Sequence, residues 1–209
     1  MPFKPRTDIL PKAQQSLWKE LAAVPKDFVL YGGTAIALHL GHRQSVDFDF
    51  FGGRSFRSAE LFSSIPFLSG AEILQQEKDT LTCLVNVTGP VKVSFFGVPQ
   101  LGRVAPPVVC PDNQLQIASL MDLAGTKAAV VQQRSEAKDY VDMDAIIASG
   151  VSLLAALSAA IKIYKGQFNP QITLKALCFF GDGDLASLDE NVRKRLLQAV
   201  KSVDLSQLK

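Results

Sequence analysis

The pattern of apolar and polar positions changes part-way along the chain. In the first part, short alternating or continuous apolar runs predict strands, and helical spacing separates some of them. The predicted strands are residues 27–31, 46–51, 71–76, 80–87 and 91–98, with helices at 13–24, 34–40 and 58–62. After a proline-containing stretch at 102–114, helical spacing dominates, over residues 118–133, 137–148, 153–164, 172–180 and 190–203. This order predicts an α+β protein, with a mixed sheet flanked by helices over residues 1–114 and a helical region over 115–209.

The amino-acid composition is that of a globular protein and does not indicate a particular function. The chain has 209 residues, of which 47% are apolar and 20% charged, and this is ordinary for a globular protein. A formal charge of +2 is too small to indicate nucleic-acid binding by itself. Three cysteines far apart in sequence argue against a disulfide framework. The longest apolar run, residues 151–161, is much shorter than the ~20 residues that cross a bilayer, so we expect a cytoplasmic protein without membrane contact.

Two aspartates mark the strand at residues 46–51 as a candidate site. Asp47 and Asp49 are alternate residues, so both carboxylates face one side of the strand, about 6.7 Å apart at Cα. Phe48 and Phe50 face the other side, towards a core. Carboxylates at this separation can hold Mg²⁺, with Mn²⁺ as a substitute.

A glycine pair precedes this strand and offers a place for phosphate. Gly32 and Gly33 follow a predicted strand and open a predicted helix, whose N-terminal amides can bind phosphate oxygens. Thr34 and Ser45 add hydroxyl groups, and the guanidinium of Arg43 suits phosphate geometry. Together with the aspartates, these residues predict a nucleoside triphosphate site with bound magnesium. Taken separately, the glycine pair is often only a turn and the aspartate pair only a solvated strand face.

The glycine and aspartate motifs together resemble those of the DNA polymerase β-type nucleotidyltransferase superfamily. More narrowly, the chain resembles the AbiEii/AbiGii-type toxin nucleotidyltransferases of bacterial abortive-infection and toxin–antitoxin systems. Three segments carry the narrower resemblance: residues 32–35, residues 43–49, and a second block at 122–128 that continues through Arg134 to residues 138–142. It implies a nucleotidyltransferase-like core, a transfer of a nucleotidyl group to tRNA or another RNA, and a cognate antitoxin partner.

Four of the charged residues in the second block have two competing interpretations. In the resembling family the lysine that matches Lys127 lies close to the nucleotide phosphates, and the segment that matches Asp139 and Asp142 supports the site. The alternative, from spacing alone, is a salt-bridge network between Lys127, Arg134 and these aspartates on solvated helix surfaces. On the family interpretation we expect Lys127→Ala to lower turnover strongly and to leave the melting temperature nearly unchanged, as surface substitutions usually do.

One position departs from the superfamily pattern. A third carboxylate is expected on a later strand, and the matching position here holds Ser94. A serine hydroxyl is a poor magnesium ligand and does not act as a base at neutral pH. Three functions therefore stay open: a nucleotidyltransferase, a non-catalytic nucleotide-binding or interaction module on the same fold, and a phosphotransferase that moves the terminal phosphate.

Overall fold

The computed structural model describes residues 3–208, which form two units. Unit 1 comprises the chain up to Leu101 together with Pro107–Ala118. Unit 2 comprises Gly102–Pro106 and the chain from Ser119 onwards. The helical part thus begins a few residues after the predicted boundary at residue 114.

Unit 1 is built on a mixed sheet, to which residues 3–208 contribute seven strands. In chain order they are β1 (Phe28–Tyr31), β2 (Asp47–Gly52), β3 (Glu72–Glu77), β4 (Thr80–Asn86), β5 (Pro90–Gly97), β6 (Val108–Val109) and β7 (Gln116–Ile117). Across the sheet the order is β3-β4-β5-β2-β1-β7-β6. Strand β2 runs parallel to β5 and antiparallel to β1. The predicted α+β class with a mixed sheet is confirmed.

The two faces of β2 differ as the alternation predicts. Phe48 and Phe50 are fully buried, and the ring of Phe50 stacks on Phe95 of β5 with centroids 5.1 Å apart. Stacked aromatic pairs stabilise a core beyond the area that they bury. The opposite face of β2 carries Asp47 and Asp49, which are both partly exposed.

Helices α1 (Lys12–Leu17), α2 (Gly32–Leu40) and α3 (Ser58–Ser64) belong to unit 1. The predicted helix at 13–24 is wrong in its second half, which is a 3₁₀ turn at Glu20–Ala23. In an α-helix the Ala22 amide would donate to the carbonyl of Trp18. Here that carbonyl accepts a hydrogen bond from the Asn113 side-chain amide, and the Ala22 amide donates to the carbonyl of Lys19. The predicted apolar side is nevertheless buried, because a 3₁₀ turn keeps residues three apart on one face.

Two short strands were missed by the sequence analysis. Strands β6 and β7 lie on either side of Pro111, and β7 extends the sheet by pairing with β1 in parallel, Leu30 opposite Ile117. Each contains only two residues, which is too short for an alternation pattern to be read.

Unit 2 contains helices packed around their own apolar core. These are α4 (Leu120–Val130), α5 (Ala137–Ala148), α6 (Leu153–Tyr164), α7 (Pro170–Ala176) and α8 (Glu190–Lys201). Helices α5 and α6 have the predicted bounds. At Gly125 a Cβ atom would lie 2.9 Å from the backbone nitrogen of Ala160, so glycine allows α4 and α6 to approach closely. The core includes the fully buried Met143, Leu157 and Leu196.

Candidate functional site

The carboxylates of Asp47 and Asp49 stand on the partly exposed face of β2, at the centre of the sheet. Asp47 lies opposite Lys92 of β5, and Asp49 lies opposite Ser94 of β5 on one side and Tyr31 of β1 on the other. Alternation along one strand therefore puts both carboxylates on the same face, as predicted.

The glycine pair lies directly against these carboxylates. Strand β1 ends at Tyr31 and helix α2 begins at Gly32, which has a positive φ of 73°. A Cβ atom on Gly32 would be 2.9 Å from Oδ2 of Asp49. Only glycine combines this backbone conformation with the space that the carboxylate occupies. The start of α2 and the Asp49 carboxylate are therefore brought together in one site.

The second glycine gives space to the other predicted phosphate ligands. A Cβ atom on Gly33 would be 2.5 Å from Nη2 of Arg43 and 3.0 Å from Oγ of Ser45. Arg43 and Ser45 thus reach the first turn of α2, where backbone amides have no partner within the helix. The guanidinium, the hydroxyl and the helix terminus form a local cluster of hydrogen-bond donors.

Thr34 has a different environment from its neighbours. Its side chain is buried, and its hydroxyl donates a short hydrogen bond to the backbone carbonyl of Asp47. This bond ties α2 to the start of β2 and so positions the aspartate strand. A direct contact between Thr34 and a nucleotide stays a prediction.

Lys92 is a charged neighbour that the sequence analysis missed. Its Nζ lies 3.0 Å from Oδ2 of Asp47, and the two side chains are 41% and 35% exposed. The residues are 45 positions apart in sequence, so their pairing follows only from the register of β2 and β5. Placing the strand that contains Ser94 beside β2 would have put Lys92 opposite Asp47.

Ser94 occupies the position on β5 directly opposite Asp49, and it is nearly inaccessible at 2% exposure. Its neighbours on the same face of β5 are Lys92 and Phe96, so this face carries no third carboxylate. Within residues 3–208, no group of three or more histidine, cysteine, aspartate or glutamate side chains is arranged to hold a metal ion.

The two aspartates alone still fit magnesium. Mg²⁺ prefers oxygen ligands and is commonly held by one or two carboxylates, with waters and substrate phosphates completing its octahedron. Asp47 and Asp49 supply two such carboxylates next to the hydrogen-bond donors at the start of α2. The donor set is therefore that of a metal bound together with a phosphate ligand, and it does not form an all-protein cage.

A second charged cluster lies inside unit 2. Nζ of Lys127, on α4, is 2.7 Å from Oδ1 of Asp139 and 2.8 Å from Oδ2 of Asp142, both on α5. Arg134 adds a bidentate pair to Asp139, with distances of 2.7 and 3.1 Å. Lys127 is 5% exposed, and both aspartates are fully buried.

The expectation of a solvated surface network is therefore wrong. The four residues do form salt bridges, but these join α4 and the segment after it to α5 rather than residues three or four apart on one helix, and three of the four residues are buried. Buried ion pairs are costly to break, because removal of one partner leaves an uncompensated charge away from water. Lys127→Ala is therefore no longer expected to leave the melting temperature nearly unchanged.

The environment of Asp139 changes its acidity. Burial alone would raise the pKa of this carboxyl, but the hydrogen bonds and charges of Arg134 and Lys127 outweigh burial. The pKa of Asp139 is therefore lowered from its ordinary value of 3.8, so the residue is ionised at neutral pH.

Comparison with known proteins identifies the family. The sequence model of the nucleotidyl transferase AbiEii toxin family, a type IV toxin–antitoxin system, matches residues 16–206. The chain belongs to the AbiEii family. The match includes the glycine pair and aspartate strand of unit 1 as well as the buried charged cluster of unit 2. Nucleotidyl transfer in a toxin–antitoxin setting is thus the activity of the family to which the chain belongs.

Two similar proteins bear on the AbiEii assignment. An uncharacterized protein of Aquifex aeolicus (strain VF5) is 34% identical over 158 residues, which is 75% of each chain. Among solved structures, MenT4, a nucleotidyltransferase toxin of Mycobacterium tuberculosis H37Rv, aligns with a TM-score of 0.54 and 14% identity over 92% of this chain and 83% of its own. At that identity the second likeness supports the fold alone. Within residues 3–208, no single helix is long and apolar enough to cross a membrane, and α5 with α6 reach that length only as a pair bent by 114°.

Proposed function

We propose that this AbiEii-family chain transfers a nucleotidyl group from a nucleoside triphosphate to an acceptor, with Mg²⁺ or Mn²⁺ held by Asp47 and Asp49. The observation that carries the proposal is the close approach of the two motifs: a Cβ atom on Gly32 would be only 2.9 Å from Oδ2 of Asp49. A metal-binding carboxylate and a phosphate-binding helix start are thus neighbours, as nucleotidyl transfer requires.

Each residue of this site has a separate task. Asp47 and Asp49 supply anionic oxygens to the metal, whose charge, when it is bound, neutralises the phosphates and orients the α-phosphorus for in-line attack. Gly32 and Gly33 allow the triphosphate to approach the amides at the start of α2. Arg43 and Ser45 donate hydrogen bonds to phosphate oxygens, and the planar guanidinium suits two oxygens at once.

Lys127 is kept as a proposed catalytic residue on the strength of family membership alone. Asp139 and Asp142 accept hydrogen bonds from its ammonium and hold the flexible side chain in one conformation. In this proposal the aspartates are supporting residues that fix the charge before the substrate arrives.

Family membership supports a proposal for the acceptor and for the partner. We propose an RNA end, such as that of tRNA, as the acceptor, and a cognate antitoxin protein as the partner that restrains the activity. The weak overall charge of +2 means that an RNA contact would depend on local groups rather than on a general positive field.

A second candidate function is a nucleotide-binding module without turnover. Two observations favour it: Ser94 stands where a third carboxylate would assist catalysis, and Lys92 already pairs with Asp47. Both functions require triphosphate binding at the same residues, so only turnover separates them.

Calorimetry tests the site that both functions share. Each of the four ribonucleoside triphosphates is titrated into the wild-type chain with and without Mg²⁺, and into Asp47→Asn. Binding should require the metal, and Asp47→Asn should weaken it at least tenfold, because an anionic ligand is lost. Asp8→Asn is the matched control, since Asp8 also forms an ion pair, with Arg6 at 2.9 Å on the surface of the same unit. Equal metal-dependent affinity in wild type and Asp47→Asn would refute the site.

A further inference from the structure

A positively charged residue of β5, Lys92, lies on the same face of the sheet as the aspartates of β2. Lys92 and Asp47 are direct partners across β5 and β2, and their charged groups are 3.0 Å apart. Both side chains are partly exposed, so neither is locked into a dry core. Ser94, two residues along β5, faces Asp49 in the same way but brings no charge.

This pair has a consequence for metal binding. The ammonium of Lys92 neutralises one of the two carboxylates and occupies its Oδ2 atom. A divalent cation that binds alone must compete with Lys92 for that oxygen. A partly exposed ion pair resists such displacement only modestly, by a factor of about five at most.

A bound triphosphate would give the ammonium of Lys92 a second anion to pair with. Lysine carries three donors on a flexible four-carbon stem, so its ammonium can leave one anion for another nearby. Phosphate oxygens held at the start of α2 would lie beside Asp49, which neighbours Asp47 on the same face of β2. When metal binds alone, Lys92 therefore loses its carboxylate partner and gains no other anion. When triphosphate binds with the metal, Lys92 gains a phosphate oxygen in place of the carboxylate.

We propose that Lys92 is a positioning residue that exchanges Asp47 for the triphosphate, and so makes the site bind metal and triphosphate together. The inference rests on the proposed function, because it needs a triphosphate at the glycine pair. It adds a residue to that function, and a coupling between metal binding and triphosphate binding. In the protein without substrate, Lys92 keeps the aspartate pair partly neutralised and disfavours metal alone.

The test compares two titrations on the full chain: Mn²⁺ alone, and each of the four ribonucleoside triphosphates with saturating Mn²⁺. Lys92→Ala should bind Mn²⁺ alone about two- to fivefold more tightly, and bind the triphosphate about two- to fivefold more weakly. Lys92→Arg, which keeps the charge, should shift both affinities less than Lys92→Ala does. Lys78→Ala removes an exposed lysine of the same unit outside this pair and should change neither affinity.

The opposite signs distinguish the proposal from a purely structural pair. If Lys92 only ties β5 to β2, Lys92→Ala would lower the unfolding free energy and move both affinities in one direction or not at all, and this would overturn the inference. If that result is accompanied by metal-dependent triphosphate binding that Asp47→Asn weakens, the proposed function survives. If the wild-type chain binds no triphosphate with Mn²⁺, the proposed function and the inference both fail.

Discussion

The burial of Lys127 leads to a quantitative prediction about stability. Its ammonium contacts two fully buried carboxylates at 2.7 and 2.8 Å, and its own side chain is 6% exposed. Lys127→Ala removes the cation and leaves both carboxylates in place, with Arg134 still bound to Asp139. Breaking a buried ion pair from one side costs about 3–5 kcal/mol. For a chain of this size, that corresponds to a fall in melting temperature of roughly 6–20 °C.

Urea unfolding followed by circular dichroism measures this cost. Lys194→Ala is the matched control, because it removes a lysine of the same unit whose ion pair, 3.8 Å from Glu190, is on the surface. Such a pair contributes about 0–1 kcal/mol. The double variant Lys127→Met with Asp142→Asn should recover at least about 1 kcal/mol relative to Lys127→Met, because one uncompensated charge is also removed. The reasoning is refuted if Lys127→Ala lies within about 1 kcal/mol of Lys194→Ala.

Two further predictions concern Gly32 and Asp139. Gly32→Ala should lower stability by about 1–2 kcal/mol through its positive φ and should also abolish metal-dependent triphosphate binding, because the new Cβ displaces the Asp49 carboxylate. Gly70→Ala is the control, because Gly70 also has a positive φ, 78°, but a Cβ atom there would have no other atom within 4 Å. Calorimetry should find the triphosphate affinity of Gly70→Ala unchanged. An equal loss of affinity in both variants would contradict the prediction. Because the folded pKa of Asp139 is lowered, its contribution to stability is complete above pH 3.8 and is lost as the pH falls below 3.8 towards the folded pKa. The urea midpoint should therefore fall more steeply between about pH 4 and pH 2 in wild type than in Asp139→Asn, and parallel curves would count against it.

The parts of the site that sequence could predict are those encoded by local periodicity. Alternation along residues 46–51 correctly separated the aspartate face from the aromatic face of β2, because a strand turns successive side chains to opposite sides. The glycine pair was correctly placed at the junction of a strand and a helix, because two adjacent glycines interrupt an apolar strand pattern, although the helix begins at Gly32 rather than at residue 34.

The features that sequence could not predict depend on contacts between distant segments. Lys92 meets Asp47 only through the register of two strands that are 45 residues apart, and register is not visible in either strand alone. The burial of Lys127 follows from the packing of α4 against α5, and the partner helix cannot be identified from the sequence of α4 alone. One signal was present: Lys127, Arg134, Asp139 and Asp142 balance in charge, as a buried cluster must.

The most direct test of the proposed function is the transfer of label from nucleoside triphosphates to RNA. The wild-type chain, Asp47→Asn and Asp49→Asn are each incubated with Mg²⁺, total cellular RNA and triphosphates labelled at the α- or the γ-phosphate. We expect the wild type to attach the α-label to RNA from at least one triphosphate, both variants to attach none, and the γ-label to stay off the RNA. Attachment of the γ-label would show a phosphotransferase instead. Absence of α-label from RNA with wild type, or equal labelling by the aspartate variants, would contradict nucleotidyl transfer at Asp47 and Asp49.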